Sequence, residues 1–130
     1  MDTNWTAENF LNGKFTNNLG SHCTLIAKDG IITGTYYTKP SRGKLIQDGF
    51  PIHGTYNQVK DGALLTFIVT YKIEGTNNEG LERYSTACWN GKVYASRKLF
   101  KMNWLLVTNQ NEENEWFGTN LGQDHFTKVE

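Results

Sequence analysis

The side chains able to do covalent, proton or metal chemistry are few and scattered: His22, His53 and His125, with Cys23 and Cys88. General acid–base catalysis needs a positioned pair, and a nucleophile needs its base within hydrogen-bond reach. His125 adjoins Asp124 and His22 adjoins Ser21, but neighbours in an extended chain point to opposite faces, so neither pair meets. No repeated Cys-x-x-Cys or His-Glu-x-x-His spacing offers ligands to a metal. The expectation is a protein that is neither an enzyme nor a metalloprotein. The polar groups that do recur in a pattern are Asn17, Ser21, Tyr36, Thr38, Ser85 and Asp124, set two residues from apolar or aromatic neighbours. Donors and acceptors held among rings do the chemistry of recognition, matching the polar edge of a small molecule and leaving its apolar body to the aromatics.

Such residues share a space only if the elements carrying them close around it. Glycine recurs in the dipeptides Asn12-Gly13, Asp29-Gly30, Asp61-Gly62 and Asn90-Gly91, each between runs rich in Thr, Ile, Val, Tyr or Phe. That pattern predicts type I′ turns between antiparallel strands. The longest glycine-free stretch, Lys92 to Phe117, reads as a strand, because Phe100, Met102, Trp104 and Leu106 alternate with period 2. Eight strands are predicted, near 13–18, 21–28, 31–38, 50–58, 63–73, 83–89, 98–108 and 117–128. An even count with short turns predicts an all-β fold, an eight-stranded antiparallel up-and-down β-barrel. Residues 1–130 form one domain in this reading, with 1–10 as a loosely attached arm. The loops Lys39–Gly49 and Glu74–Glu82 are long and polar enough to carry function.

Composition agrees with a globular barrel. The chain has 13 basic and 13 acidic side chains, 38% hydrophobic residues and 17 aromatics, so disorder is not expected. No Lys/Arg-rich block suggests nucleic acid, and no apolar run approaches the ~18 residues of a membrane span. The opening MDTNWTAENF lacks a basic segment followed by an apolar one, so no signal peptide is read there and the compartment stays open.

Parity within each strand predicts the inward set: Phe15 and Asn17; Ser21 and Cys23; Tyr36 and Thr38; Phe67, Val69 and Tyr71; Ser85, Ala87 and Trp89; Met102, Trp104 and Leu106; Asp124 and Phe126. An unpaired buried hydroxyl or amide costs on the order of 1–3 kcal/mol, so a lumen serving only as core would not hold so many. Some of these groups also have local explanations: Asn17 and Ser21 can serve the turn at Asn18-Leu19-Gly20, and Asp124 can lie at a wet strand end. A cage of Tyr71, Trp89 and Trp104 with convergent polar groups is the composition of a small-molecule pocket, and eight-stranded barrels are just wide enough for one ligand. A lipocalin-like carrier of another small apolar ligand is the alternative, and it predicts an almost wholly aliphatic lumen.

Six blocks carry a resemblance: Gly13-Lys14-Phe15-Thr16-Asn17-Asn18-Leu19-Gly20-Ser21, Thr33-Gly34-Thr35-Tyr36, His53-Gly54-Thr55-Tyr56-Asn57, Ser85-Thr86-Ala87-Cys88-Trp89-Asn90-Gly91, Asn103-Trp104-Leu105-Leu106 and Gly122-Gln123-Asp124-His125-Phe126-Thr127-Lys128-Val129. In order and spacing they resemble the avidin and streptavidin family of biotin-binding proteins, closer to the streptavidin branch through Trp89 and Asp124. The resemblance implies a biotin ureido oxygen held by Asn17, Ser21 and Tyr36, with the ureido N–H groups on Asp124 and Thr38. It implies walls of Tyr71, Trp89 and Trp104, with Ser85 at the valerate carboxylate and Arg42 adding a backbone N–H there. Trp116 would be lent across a subunit interface to lid the neighbour's pocket. The implied assembly is a homotetramer, with a dimer as the other arrangement. Biotin is ligand rather than cofactor, the role is vitamin sequestration, and the compartment is extracellular.

The chain departs from the family pattern at four places: Tyr71 where the fifth strand usually has Trp, Ala87 where a Thr approaches the biotin thioether, Phe15 in place of the first-strand Trp, and a longer Glu74–Glu82 loop. Lost aromatic area and one lost hydrogen bond are expected to weaken binding by about 1–3 kcal/mol. The cysteines do not repeat the disulfide of the avian branch. Cys23 has inward parity and Cys88 outward parity, so two free thiols are expected.

Overall fold

The computed structural model describes residues 4–38 and 49–129, with side chains throughout except at 115–117. Eight strands, β1 (Gly13–Asn17), β2 (His22–Lys28), β3 (Ile31–Tyr37), β4 (Phe50–Val59), β5 (Gly62–Thr76), β6 (Glu82–Tyr94), β7 (Leu99–Thr108) and β8 (Thr119–Lys128), follow one another around a closed barrel. Every neighbouring pair is antiparallel, and β1 closes the ring on β8 through Phe15–Asn17. The strands form because their apolar residues alternate, and each alternation buries one face: β1 buries Phe15 and Asn17, β5 buries Phe67, Val69 and Tyr71, and β8 buries Asp124 and Phe126. The eight-stranded barrel expected from the sequence is therefore the fold observed.

The turn chemistry holds in part. Asp29 and Gly30 both have positive φ, 52° and 84°, as a type I′ hairpin between β2 and β3 requires. Asn90-Gly91, by contrast, is no turn. It lies inside β6, opposite Thr66 and Leu65 on one side and Asn103 and Met102 on the other. A Cβ at Gly91 would stand 1.9 Å from the Lys101 carbonyl oxygen, so glycine there permits close approach of β7. The reversal comes instead at 95–98, so β6 is longer than expected. Asn12-Gly13 is not a hairpin either: Asn12 caps a short helix and Gly13 opens β1.

That helix, α1 (Ala7–Leu11), corrects the expectation of a loose N-terminal arm. Thr6 caps its start by accepting from the Asn9 N–H, and Ala7, Phe10 and Leu11 are buried against the barrel. Its backbone is tied to the barrel by Gln58 Oε1, which accepts from the Ala7 N–H at 2.9 Å, and by Lys128 Nζ, which donates to the Phe10 carbonyl at 2.7 Å. From α1 a chain of rings descends through the lumen: Phe10–Phe15 at 5.7 Å, Phe15–Phe100 at 5.1 Å, Phe100–Phe126 at 4.9 Å, Phe126–Phe67 at 6.3 Å and Phe67–Trp89 at 5.1 Å. These contacts fill one half of the barrel as core. The other half, toward the β1–β2, β5–β6 and β7–β8 connections, is where the polar inward residues gather.

Candidate functional site

Beyond Trp89 the lumen opens into a cavity of about 270 Å³ lined by Asn17, Leu19, Ser21, Tyr36, Thr38, Tyr71, Ile73, Ser85, Ala87, Trp89, Trp104, Leu106 and Asp124. Register assembles it. Phe67 faces Trp89 across β5 and β6, Trp89 faces Trp104 across β6 and β7, and Trp104 faces Gly122 across β7 and β8. Gly122 is required there, because a Cβ would lie 2.1 Å from the Trp104 ring. A larger concavity of about 650 Å³ lies across the outer face of β5–β8, among Asn90, Lys92, Lys101, Asn103 and His125. It lacks the ring cage, so the lumen is the better ligand site.

At the polar end, Asn17 organises its neighbours. Its Oδ1 accepts from the backbone N–H groups of Leu19 at 3.0 Å and Ser21 at 2.8 Å, which orients the amide. Its Nδ2 then donates to the Tyr36 hydroxyl oxygen at 3.3 Å and to Asp124 Oδ2 at 3.4 Å. Burial pushes the Tyr36 phenol well above its usual value, against the smaller opposing effect of its hydrogen bond with Ser21. The hydroxyl therefore stays protonated and serves as a donor. Burial raises Tyr71 as well, with Tyr36 and Asp124 adding to the effect.

Asp124 is 3% exposed. Trp89 Nε1 donates to the same Oδ2 that Asn17 approaches, again at a long 3.4 Å. Oδ1 is buried and has no partner among the described residues, and neither has Trp104 Nε1. The fold thus leaves a carboxylate with unused accepting capacity in the cavity lining, beside the oriented Asn17 amide and the hydroxyls of Ser21 and Tyr36.

Ten sequence-predicted site residues meet at this cavity: Asn17, Ser21, Tyr36, Thr38, Tyr71, Ser85, Ala87, Trp89, Trp104 and Asp124. Arg42, with most of the Lys39–Gly49 loop, lies outside the described residues, as does the Trp116 side chain. Leu19 and Ile73 also line the cavity and were not predicted, and Leu106, predicted to face inward, lines it too. Ile73 shares parity with Tyr71, a signal that could have found it. Cys23 is buried and Cys88 half-buried, both free, as their parities predicted. Among the described residues no group of three or more His, Cys, Asp or Glu is placed to hold a metal ion.

Fold and site together define a closed antiparallel barrel with a small-molecule cavity at one end. Comparison with known proteins sharpens that class. The Avidin family model matches residues 6–129. Avidin of Gallus gallus is 30% identical over 125 residues, which cover 92% of this chain and 78% of that protein. The chain belongs to the avidin family.

Proposed function

We propose that the protein binds biotin non-covalently in the barrel lumen. The observation carrying this reading is the oriented Asn17 amide beside the hydroxyls of Ser21 and Tyr36, together with Asp124 Oδ1, buried and without a partner among the described residues, in one ring-lined cavity. A cyclic urea is the complement of such a set: its oxygen takes the donors, while its N–H groups meet Asp124 and the Thr38 hydroxyl. Donors on the oxygen polarise the urea and make its N–H groups stronger donors in turn. Tyr71, Trp89 and Trp104 cover the bicyclic rings, Ala87 leaves room beside them, and Ser85 meets the valerate carboxylate with Arg42. The polar lining disfavours a lipocalin-like carrier of apolar ligands, and the chemistry is binding rather than catalysis, with no cofactor.

The proposed assembly is a homo-oligomer, a tetramer in preference to a dimer, in which Trp116 of a neighbouring subunit lids the pocket. A row of outward side chains supports a second copy as partner. Ile68, Cys88, Leu105 and Leu121 stand opposite one another across β5–β8, and Ile68 and Leu121 are 51% and 78% exposed. Vitamin sequestration outside the cell is the proposed role.

The test is the thermal unfolding midpoint with and without a slight excess of biotin, read by tryptophan fluorescence. Ligand at 1,000 times its dissociation constant stabilises by about 4 kcal/mol, an upward shift of many degrees. An unchanged midpoint for folded, biotin-free protein refutes the proposal.

A further inference from the structure

One sequence pattern occurs twice at the open end of the barrel. Asn17-Asn18-Leu19-Gly20-Ser21 and Asn77-Asn78-Glu79-Gly80-Leu81 share Asn-Asn-x-Gly and fold into the same five-residue knot. In each, the first Asn N–H donates to the carbonyl four residues on, at 2.9 and 2.8 Å. The Gly N–H donates back to that Asn carbonyl at 3.3 and 3.0 Å, with φ of 91° and 77° at Gly20 and Gly80. The Asn77 Oδ1 accepts from the backbone N–H groups of Glu79 at 2.9 Å and Leu81 at 3.1 Å, as Asn17 does from Leu19 and Ser21. Two backbone donors on Oδ1 fix the amide, so its Nδ2 is aimed.

The two knots aim that group at different targets. Asn17 Nδ2 reaches Tyr36 and Asp124 at the cavity's polar end. Asn77 Nδ2 donates to the Asn109 carbonyl at 2.9 Å, where the β7–β8 connection begins. Glu79, inside the second knot, adds two bonds: its Oε2 accepts from the Asn111 N–H at 3.2 Å and from Asn114 Nδ2 at 3.4 Å. Asn111 is the cap of the 3₁₀ helix η1 (Glu112–Gly118), its Oδ1 accepting from the Asn114 N–H at 3.1 Å. Asn109 ties back to β6 through Tyr84 and Glu82, at 2.9 and 3.0 Å. The β5–β6 and β7–β8 connections are therefore bonded into one rim, immediately beyond the cavity-lining Ile73, Ser85 and Leu106.

We propose that Asn77 and Glu79 are positioning residues for ligand retention. They hold the β7–β8 connection, η1 included, as a fixed rim over the part of the ligand nearest the mouth, without touching the ligand themselves. The inference rests on the biotin reading for the ligand's identity; the rim rests on bonds within the protein.

The test uses Asn77→Ala, Glu79→Ala and Glu79→Gln, the last keeping a side-chain oxygen acceptor. Backbone amide exchange across 109–118 is measured on the ligand-free proteins. Dissociation of biotin, and of an analogue lacking the valerate chain, is measured well below the unfolding midpoint. Glu79→Ala removes two side-chain hydrogen bonds, to Asn111 and Asn114, and Asn77→Ala removes the one to Asn109 together with the two that fix its knot, so exchange across 109–118 speeds roughly tenfold in both. Biotin leaves those variants roughly tenfold faster, since lost contacts act mainly on dissociation. The chainless analogue is unchanged and Glu79→Gln stays near wild type. Unchanged exchange, equal acceleration for both ligands, or a Gln variant behaving like the Ala variant each overturns the proposal. If the unaltered protein fails to bind biotin, the biotin reading falls, and the exchange result alone decides the rim.

Discussion

Replacing Asp124 by Asn separates the site's demands from the fold's. In the folded protein both protein donors approach the same oxygen, Oδ2, at 3.4 Å, beyond the usual range of a strong N–H···O bond. Oδ1 has none. A buried carboxylate oxygen without a donor costs free energy, so Asp124→Asn leaves the ligand-free midpoint unchanged or raises it. Biotin responds oppositely. The variant loses a charge-assisted hydrogen bond worth about 1.5–3 kcal/mol, which is roughly 10- to 150-fold in the dissociation constant. The biotin-induced shift in the midpoint shrinks accordingly, by roughly 3–4 °C for each kcal/mol lost in a domain of this size. Calorimetry of binding alongside thermal melts of both forms reads the two effects separately. A variant that binds biotin within threefold of wild type, or whose ligand-free midpoint falls by several degrees, refutes the assignment of Oδ1 as a binding rather than structural acceptor.

Gly122→Ala drives a methyl into the Trp104 ring, 2.1 Å away, and overpacking of this kind costs about 1–3 kcal/mol; a lower midpoint and an altered near-ultraviolet tryptophan signal are expected. Burial pushes the Cys23 thiol up to about 12, so a thiol reagent at pH 8 leaves Cys23 unmodified in the native protein and reaches it only after unfolding, modification of Cys23 at the outset being the contrary result. Tyr36 and Tyr71 are held neutral by burial, their folded-state values lying above the unfolded one. The unfolded chain therefore releases those protons first, stability is complete below about pH 10 and declines above it, and Tyr36→Phe/Tyr71→Phe flattens that decline in alkaline melts.

Much of the barrel was legible because strand alternation is a local signal: parity alone sorted Phe67, Val69 and Tyr71 inward and put Cys88 on the outer face. Asn90-Gly91 misled because glycine serves close approach as readily as reversal, and only the β6–β7 register separates the two. Helix α1 is five residues long, too short for periodicity to announce, though Thr6 as a cap and Ala7, Phe10 and Leu11 at helical spacing were present. At the site, polar residues stood out among apolar ones, whereas Leu19 and Ile73 looked like ordinary turn or strand residues. The rim bonds of Asn77 and Glu79 join segments some thirty residues apart, and no local pattern specifies their meeting.

The chain of rings from Phe10 to Trp89 gives the cavity a floor made of the protein's own core. Depth of recognition is then measured in ring diameters: where the last ring sits, the space for a ligand begins. Trp89 marks that boundary, and Phe67 backs it at 5.1 Å. In a scaffold built this way, how deep a molecule can enter is fixed by the same rings that hold the barrel together.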